Sequence, residues 1–136
     1  MSGERKIIRV RDVMKPHFDI VDRMTTVAEA LQQMKHVETK CLIVDKRHDD
    51  DEYGMLLISD IARHVVAHDR SPDRVNVYEV MAKPVISVDP DMDIRYCARL
   101  FDRFDLSRAP VIDRNRQISG IVSFTDIVLK GLCLDK

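Results

Sequence analysis

Apolar and polar positions along this chain form one series that is written twice. Val10-x-x-Val13-Met14 returns 67 residues later as Val77-x-x-Val80-Met81, and Ile20-Val21-Asp22 returns as Ser87-Val88-Asp89 at the same offset. An apolar stripe at helical spacing (Val27, Ala30, Leu31, Met34, Val37) is matched by Ile94, Cys97, Ala98, Phe101 and Phe104. Leu42-Ile43-Val44-Asp45 then matches Pro110-Val111-Ile112-Asp113, with the offset grown by one. Gly54, Ser59, Asp60 and Ile61 match Gly120, Thr125, Asp126 and Ile127, with the offset shortened again. Small offset changes between blocks that keep their order are what loop insertions produce.

Each series predicts β-α-β-β-α, preceded by a short turn ending at Met14 or Met81 and a proline, Pro16 or Pro84. The first strand falls around Ile20-Val21 in one copy and Ile86-Val88 in the other. Thr26-Val27-Ala28-Glu29 is a capping-box sequence opening the first helix, and Asp91 is the expected cap in the second copy. The division read from this is repeat 1 over residues 1–69, a polar linker with Pro72 over 70–76, and repeat 2 over 77–136. A unit of about sixty residues buries little surface alone. Two copies packed face to face solve that problem.

The closing segment of the second copy carries the most chemistry. Ile118 to Val122 reads as a buried strand that stops at a hydroxyl-rich corner and restarts as a helix from Ile127. Thr125 sits where an N-cap belongs, and Asp126 falls in the first turn, where a carboxylate is favoured. Ser123, Thr125 and Asp126 thus cluster beside helix N–H groups, an arrangement suited to a ribose diol and a phosphate. The same residues also suit a capped helix start and nothing more.

Composition narrows the classes. The chain has 136 residues, 45% hydrophobic and 33% charged, with a net charge of −1. That fits one globular protein and argues against a nucleic-acid or membrane-surface partner. The basic start (Arg5, Lys6, Arg9, Arg11) alternates with Ile7, Ile8 and Val10 and reads as a half-buried lead-in. Cys41, Cys97 and Cys133 are odd in number and lack metal-like spacing; Cys41 and Cys97 fall at apolar positions, as core thiols do. Free thiols and the lack of a signal-peptide or membrane-spanning run point to the cytoplasm.

These paired motifs resemble a tandem pair of cystathionine-β-synthase (CBS) domains, a Bateman module, of the stand-alone bacterial type. The resemblance spans Val10 to Leu132 and rests on three motifs per copy. They are the Val-x-x-Val-Met opening, the apolar strand ending in Asp, and the Gly-led strand ending in Ser/Thr-Asp-Ile. It implies an α/β fold of two pseudo-symmetric repeats, regulatory and not catalytic, with two clefts between the repeats. It implies an adenine nucleotide (AMP, ADP or ATP) as regulatory ligand, with no catalytic cofactor, and a homodimer that reports to an effector protein.

Carried over residue by residue, the resemblance assigns one cleft to Ser123, Thr125 and Asp126 with His17, Asp19, Ile20, Thr39 and Lys40. Asp126 would accept from both ribose hydroxyls, the strand backbone at Asp19 to Val21 would read the adenine edge, and Lys40 would meet a phosphate. The pseudo-symmetric cleft takes Ser59 and Asp60 with Ile86, Ser87, Ser107 and Arg108. Here Leu57 stands where the second copy has Ser123, and Leu42 is matched to Pro110. The Asp60 site is therefore expected to be weaker or empty, with Arg108 as its phosphate group.

Other constellations carry less. The only glycines are Gly3, Gly54, Gly120 and Gly131, which excludes a Gly-rich phosphate loop. Asp60, His64 and His68 recur every four residues, and the two histidines have the spacing of paired metal ligands, although no metal site is assigned. The run His48-Asp49-Asp50-Asp51-Glu52 reads as a solvated hairpin loop. Three readings follow: an adenosine-nucleotide sensor, a ligand-free dimerisation or interaction module, and a metal-responsive binder through His64 and His68.

Overall fold

A computed structural model describes residues 6–134, so Gly3 and Arg5 lie outside the described residues. The fold is α/β, with small sheets covered by helices. It divides into two compact units: one joins the chain up to Pro16 with the chain from Ile86 onward, and the other is His17–Val85. The units do not follow the order of the repeats. Each takes its opening helix from the other copy.

In the His17–Val85 unit, β1 (Ile20–Val21), β2 (Cys41–Val44) and β3 (Gly54–Leu57) form a sheet in that order. β1 runs parallel to β2, and β2 antiparallel to β3. Helix α2 (Val27–Gln33) starts at Thr26, whose hydroxyl accepts the Glu29 N–H, as the capping sequence requires. Its stripe is shorter than the spacing suggests. Val27 and Ala30 are buried, but the helix ends at Gln33 and Val37 lies exposed in a 3-10 turn. Helix α3 (Ile58–Ile61) continues as a π-turn over Ala62–Val66. Val75, inside the polar linker, is buried; its carbonyl accepts the Val27 N–H. The short helix α4 (Val77–Val80) completes the core with Val21, Leu42, Val44, Leu56 and Val65.

The other unit opens with α1 (Val10–Val13) and continues through α5 (Ile94–Phe104), β4 (Arg108–Ile112), β5 (Ile118–Ser123) and α6 (Phe124–Leu134). Val10 and Val13 pack with Val88, Cys97, Phe101, Val111 and Val122. The N-cap of α5 is Asp93, not Asp91: the Asp93 carboxylate accepts the Arg95 N–H, while the Asp91 N–H is spent on Asp89. Cys41 and Cys97 are buried, each in its own unit.

Register shows where the two copies truly correspond. Val44 faces Gly54 and Cys41 faces Leu57 in one sheet; Val111 faces Gly120 and Arg108 faces Ser123 in the other. Leu42 therefore corresponds to Ala109, and Pro110 to Ile43, one position away from the match made on the sequence. That shift explains a second difference. The Ile43 N–H bonds the Asp19 carbonyl and so builds β1. Pro110 has no N–H to offer Ile86, and the expected strand over Ile86-Val88 is reduced to a single bridge between Val88 and Val111.

Candidate functional site

The strand-to-helix corner at the end of β5 is built by Ser123. Its hydroxyl accepts the Asp126 N–H at 3.1 Å and donates to Asp126 Oδ2 at 3.0 Å, so the N-cap is Ser123 and not Thr125, which is exposed. The cap falls two residues earlier because the helix already begins at Phe124, whose N–H is bonded to the Ser107 carbonyl. Two helix-start N–H groups are thereby occupied. What the corner presents is the carboxylate.

Asp126 is only 4% exposed. Its Oδ1 accepts from Lys15 Nζ at 2.5 Å, and Lys130 Nζ stands 3.7 Å away, one helical turn on. Lys15 is the residue that sequence reasoning missed. It directly follows the repeated Val-x-x-Val-Met motif, where the second copy has Ala82, and that contrast was the available signal. Its backbone is fixed by a reciprocal pair of hydrogen bonds with Ile121. Gly120 permits this approach: a Cβ there would stand 2.4 Å from the Lys15 carbonyl oxygen.

The corresponding corner in the His17–Val85 unit is poorer. Ala82 makes the same backbone pair with Met55, and Ile58 N–H bonds the Lys40 carbonyl, so the frame is kept. The side chains are not. Leu57 gives α3 no side-chain cap, Ala82 carries no charge, and the Asp60 carboxylate, 18% exposed, accepts only a long bond from Leu57 N–H and lies 3.7 Å from Arg63. Ser59 is exposed, and its hydroxyl does not replace that of Ser123.

The remaining expected residues are divided by unit. In His17–Val85, the Asp19 carboxylate accepts the N–H groups of Lys35 and His36, and its carbonyl is bonded to Ile43. Alternation along a parallel pair then turns the Ile20 amide toward the free edge of β1. Ile20 and Asp19 line an open groove of about 660 Å³ with Phe18, Gln33 and His36. His17 stacks on His36, with ring centroids 5.7 Å apart. Thr39 is fully buried and donates to the His36 and Cys41 carbonyls, holding the turn, while Lys40 is exposed in a left-handed conformation. In the other unit, Ile86, Ser87 and Ser107 are exposed and Arg108 is half-buried.

The acidic run is not wholly solvated. Asp51 is buried between Arg47 and Lys83, whose Nζ lies 2.8 Å from it, and these cations hold its carboxyl well below the usual carboxylate range. His64 and His68 line an open groove with Arg70 and Glu79. Among the described residues no group of three or more His, Cys, Asp or Glu is placed to hold a metal ion. Nor, among them, is any helix long and apolar enough to cross a membrane.

A duplicated frame of short sheets closed by an acid-bearing helix defines a tandem-repeat α/β protein. The sequence matches the CBS domain over residues 10–67 and 77–131, and the chain belongs to the CBS-domain family. It is similar to an uncharacterised protein of Methanopyrus kandleri, 30% identical over 104 residues, covering 76% of this chain and 52% of the relative. The chain thus spans about half of that relative's length. Relatives that carry enzyme names are matched over only 11–25% of theirs. Among solved structures, a hexameric CBS-CP12 protein from bloom-forming cyanobacteria superposes with a TM-score of 0.88 at 35% identity, covering 96% of this chain and 75% of that one. The cytosolic domain of the Mg2+ channel MgtE, in complex with ATP, does so with a TM-score of 0.67 at 26% identity, covering 85% and 46%.

Proposed function

We propose that the chain is a regulatory module, not an enzyme, that senses an adenosine-containing ligand through Asp126. The observation that carries this reading is the Asp126 carboxylate itself: buried, fixed in orientation by Ser123, and paired through Oδ1 with Lys15, with lone pairs on both oxygens that a diol can compete for. The ATP complex of the MgtE domain supports the ligand class. Asp60, without the serine or lysine of its counterpart, makes the weaker site.

The test is a thermal-shift and calorimetric panel of AMP, ADP, ATP, NAD and S-adenosylmethionine. Ligand at a hundred times its dissociation constant adds about 2.7 kcal/mol of stability. Asp126→Asn should abolish the response and Asp60→Asn should not. A flat response to every compound, or a larger loss from Asp60→Asn, would overturn the reading.

A second reading, self-association without ligand, is favoured by Val128, Leu129 and Leu132, exposed together on α6. A homodimer through such a face is compatible with ligand sensing. Sedimentation of the unliganded chain at several concentrations separates the two.

A further inference from the structure

Resting on the reading of Asp126 as the ribose-binding carboxylate, we infer that Lys15 is a built-in occupant of that site and makes it selective for anionic, phosphorylated adenosine. Asp126 Oδ2 is committed to Ser123, and Oδ1 to Lys15. A diol that uses both carboxylate oxygens competes with the ammonium for Oδ1, the oxygen that the short Lys15 contact and Lys130 already crowd. Lys15 cannot then simply leave. Its backbone is tied to Ile121 in both directions, and its side chain is only 22% exposed. An ammonium parted from its carboxylate in so dry a position is unfavourable until another anion meets it. Lys130 lies beside the same oxygen, so two cations face one carboxylate at this corner.

A nucleotide supplies both groups at once: a diol for Asp126 and a phosphate for the displaced ammonium. Neutral adenosine supplies only the first. A sulfonium such as S-adenosylmethionine adds a charge of the wrong sign near two lysines. In the absence of ligand Lys15 returns to Asp126, so the empty site is neutralised by the chain itself. At the Asp60 corner, Ala82 and Leu57 remove this device, and no such selectivity belongs there.

The experiment is calorimetric titration of the whole chain with adenosine, AMP and S-adenosylmethionine at fixed low ionic strength. The wild type should bind AMP at least about tenfold more tightly than adenosine, the worth of one charge-assisted contact, with S-adenosylmethionine weakest. Lys15→Gln, which keeps a donor but not the charge, should tighten adenosine and bring the two affinities within about threefold. Lys15→Arg should keep the preference. Equal wild-type affinities for AMP and adenosine overturn the inference without any variant. So does a preference for AMP that Lys15→Gln leaves intact, although ligand sensing itself would then stand. If no adenosyl compound binds the wild type, both fall together.

Discussion

Lys15 Nζ and Asp126 Oδ1 are 2.5 Å apart although 111 residues separate them in the chain. The pair exists because α1 packs in the unit of the second copy, where Gly120 lets the Lys15 backbone lie against β5. The same helix-to-strand contact recurs in the other unit with Ala82 in place of Lys15. A duplicated frame thus carries one charged corner and one plain one.

Gly120 should be the less replaceable of the two strand glycines. In Gly120→Ala the new Cβ would meet backbone, the Lys15 carbonyl oxygen, at 2.4 Å. In Gly54→Ala the nearest atom is Met81 Sδ at 3.0 Å, the end of a flexible side chain. Urea denaturation should show a loss of about 1–3 kcal/mol for Gly120→Ala and a smaller one for Gly54→Ala. Equal losses would mean that the Lys15 segment yields without cost.

Ser123→Ala and Thr125→Ala separate the two possible caps. Ser123 bonds both the N–H and the carboxylate of Asp126, so its loss should cost about 1–2 kcal/mol. Thr125 is exposed, and its replacement should change stability by no more than about 0.5 kcal/mol. The reverse order in a denaturation series would restore Thr125 as the cap.

The duplicated order was legible in the sequence because apolar spacing is a local property: Val27 and Ala30, or Cys97 and Phe101, declare a helix face without help from elsewhere. The Asp126 corner was half legible. Its residue types pointed to a capped, acid-bearing helix, but a cap two residues earlier fits the same letters, and only the Phe124 N–H bond to Ser107 decides between them. Lys15 was hidden by distance along the chain. Asp51 was hidden by its neighbours, since an acidic run looks solvated until Arg47 and Lys83 close on one member of it. The one-residue error at Pro110 arose because two adjacent apolar residues leave strand register ambiguous.

Acid should weaken the unit that contains Asp93. Its carboxyl is held at about 2, chiefly by the hydrogen bond from the Arg95 side chain. A carboxylate lowered on folding stabilises above its unfolded pKa, and that contribution fades as pH falls from about 4 to about 2. Asp93→Asn keeps an N-cap but removes the charge. Denaturant midpoints of the variant should therefore follow a flatter profile than those of the wild type between about pH 5 and about pH 2. Parallel profiles would leave the Arg95 contact without energetic weight.

Thiol labelling should distinguish the cysteines. Cys133 is exposed, whereas Cys41 and Cys97 are buried, and burial pushes the Cys97 thiol up to about 11. Thiolate is the reactive form, so Cys97 is protected twice, by access and by ionisation. Mass spectrometry after brief alkylation of the folded chain should find one modified site, Cys133, and all three after unfolding. Early labelling of Cys97 would place α5 in an open state.

Pro110→Val should lengthen the parallel pairing of the second copy. Pro110 occupies the place of Ile43, whose N–H bonds the Asp19 carbonyl and makes β1 a strand. A valine restores that N–H opposite the Ile86 carbonyl and suits a buried strand position. The proline ring also limits the unfolded chain, so its removal costs up to about 1 kcal/mol that the new bond, worth a similar amount, offsets. Overall stability should therefore barely move, while the amide gained at this position exchanges slowly with solvent. Fast exchange of that amide would show that something besides the missing N–H keeps Ile86 away from β4.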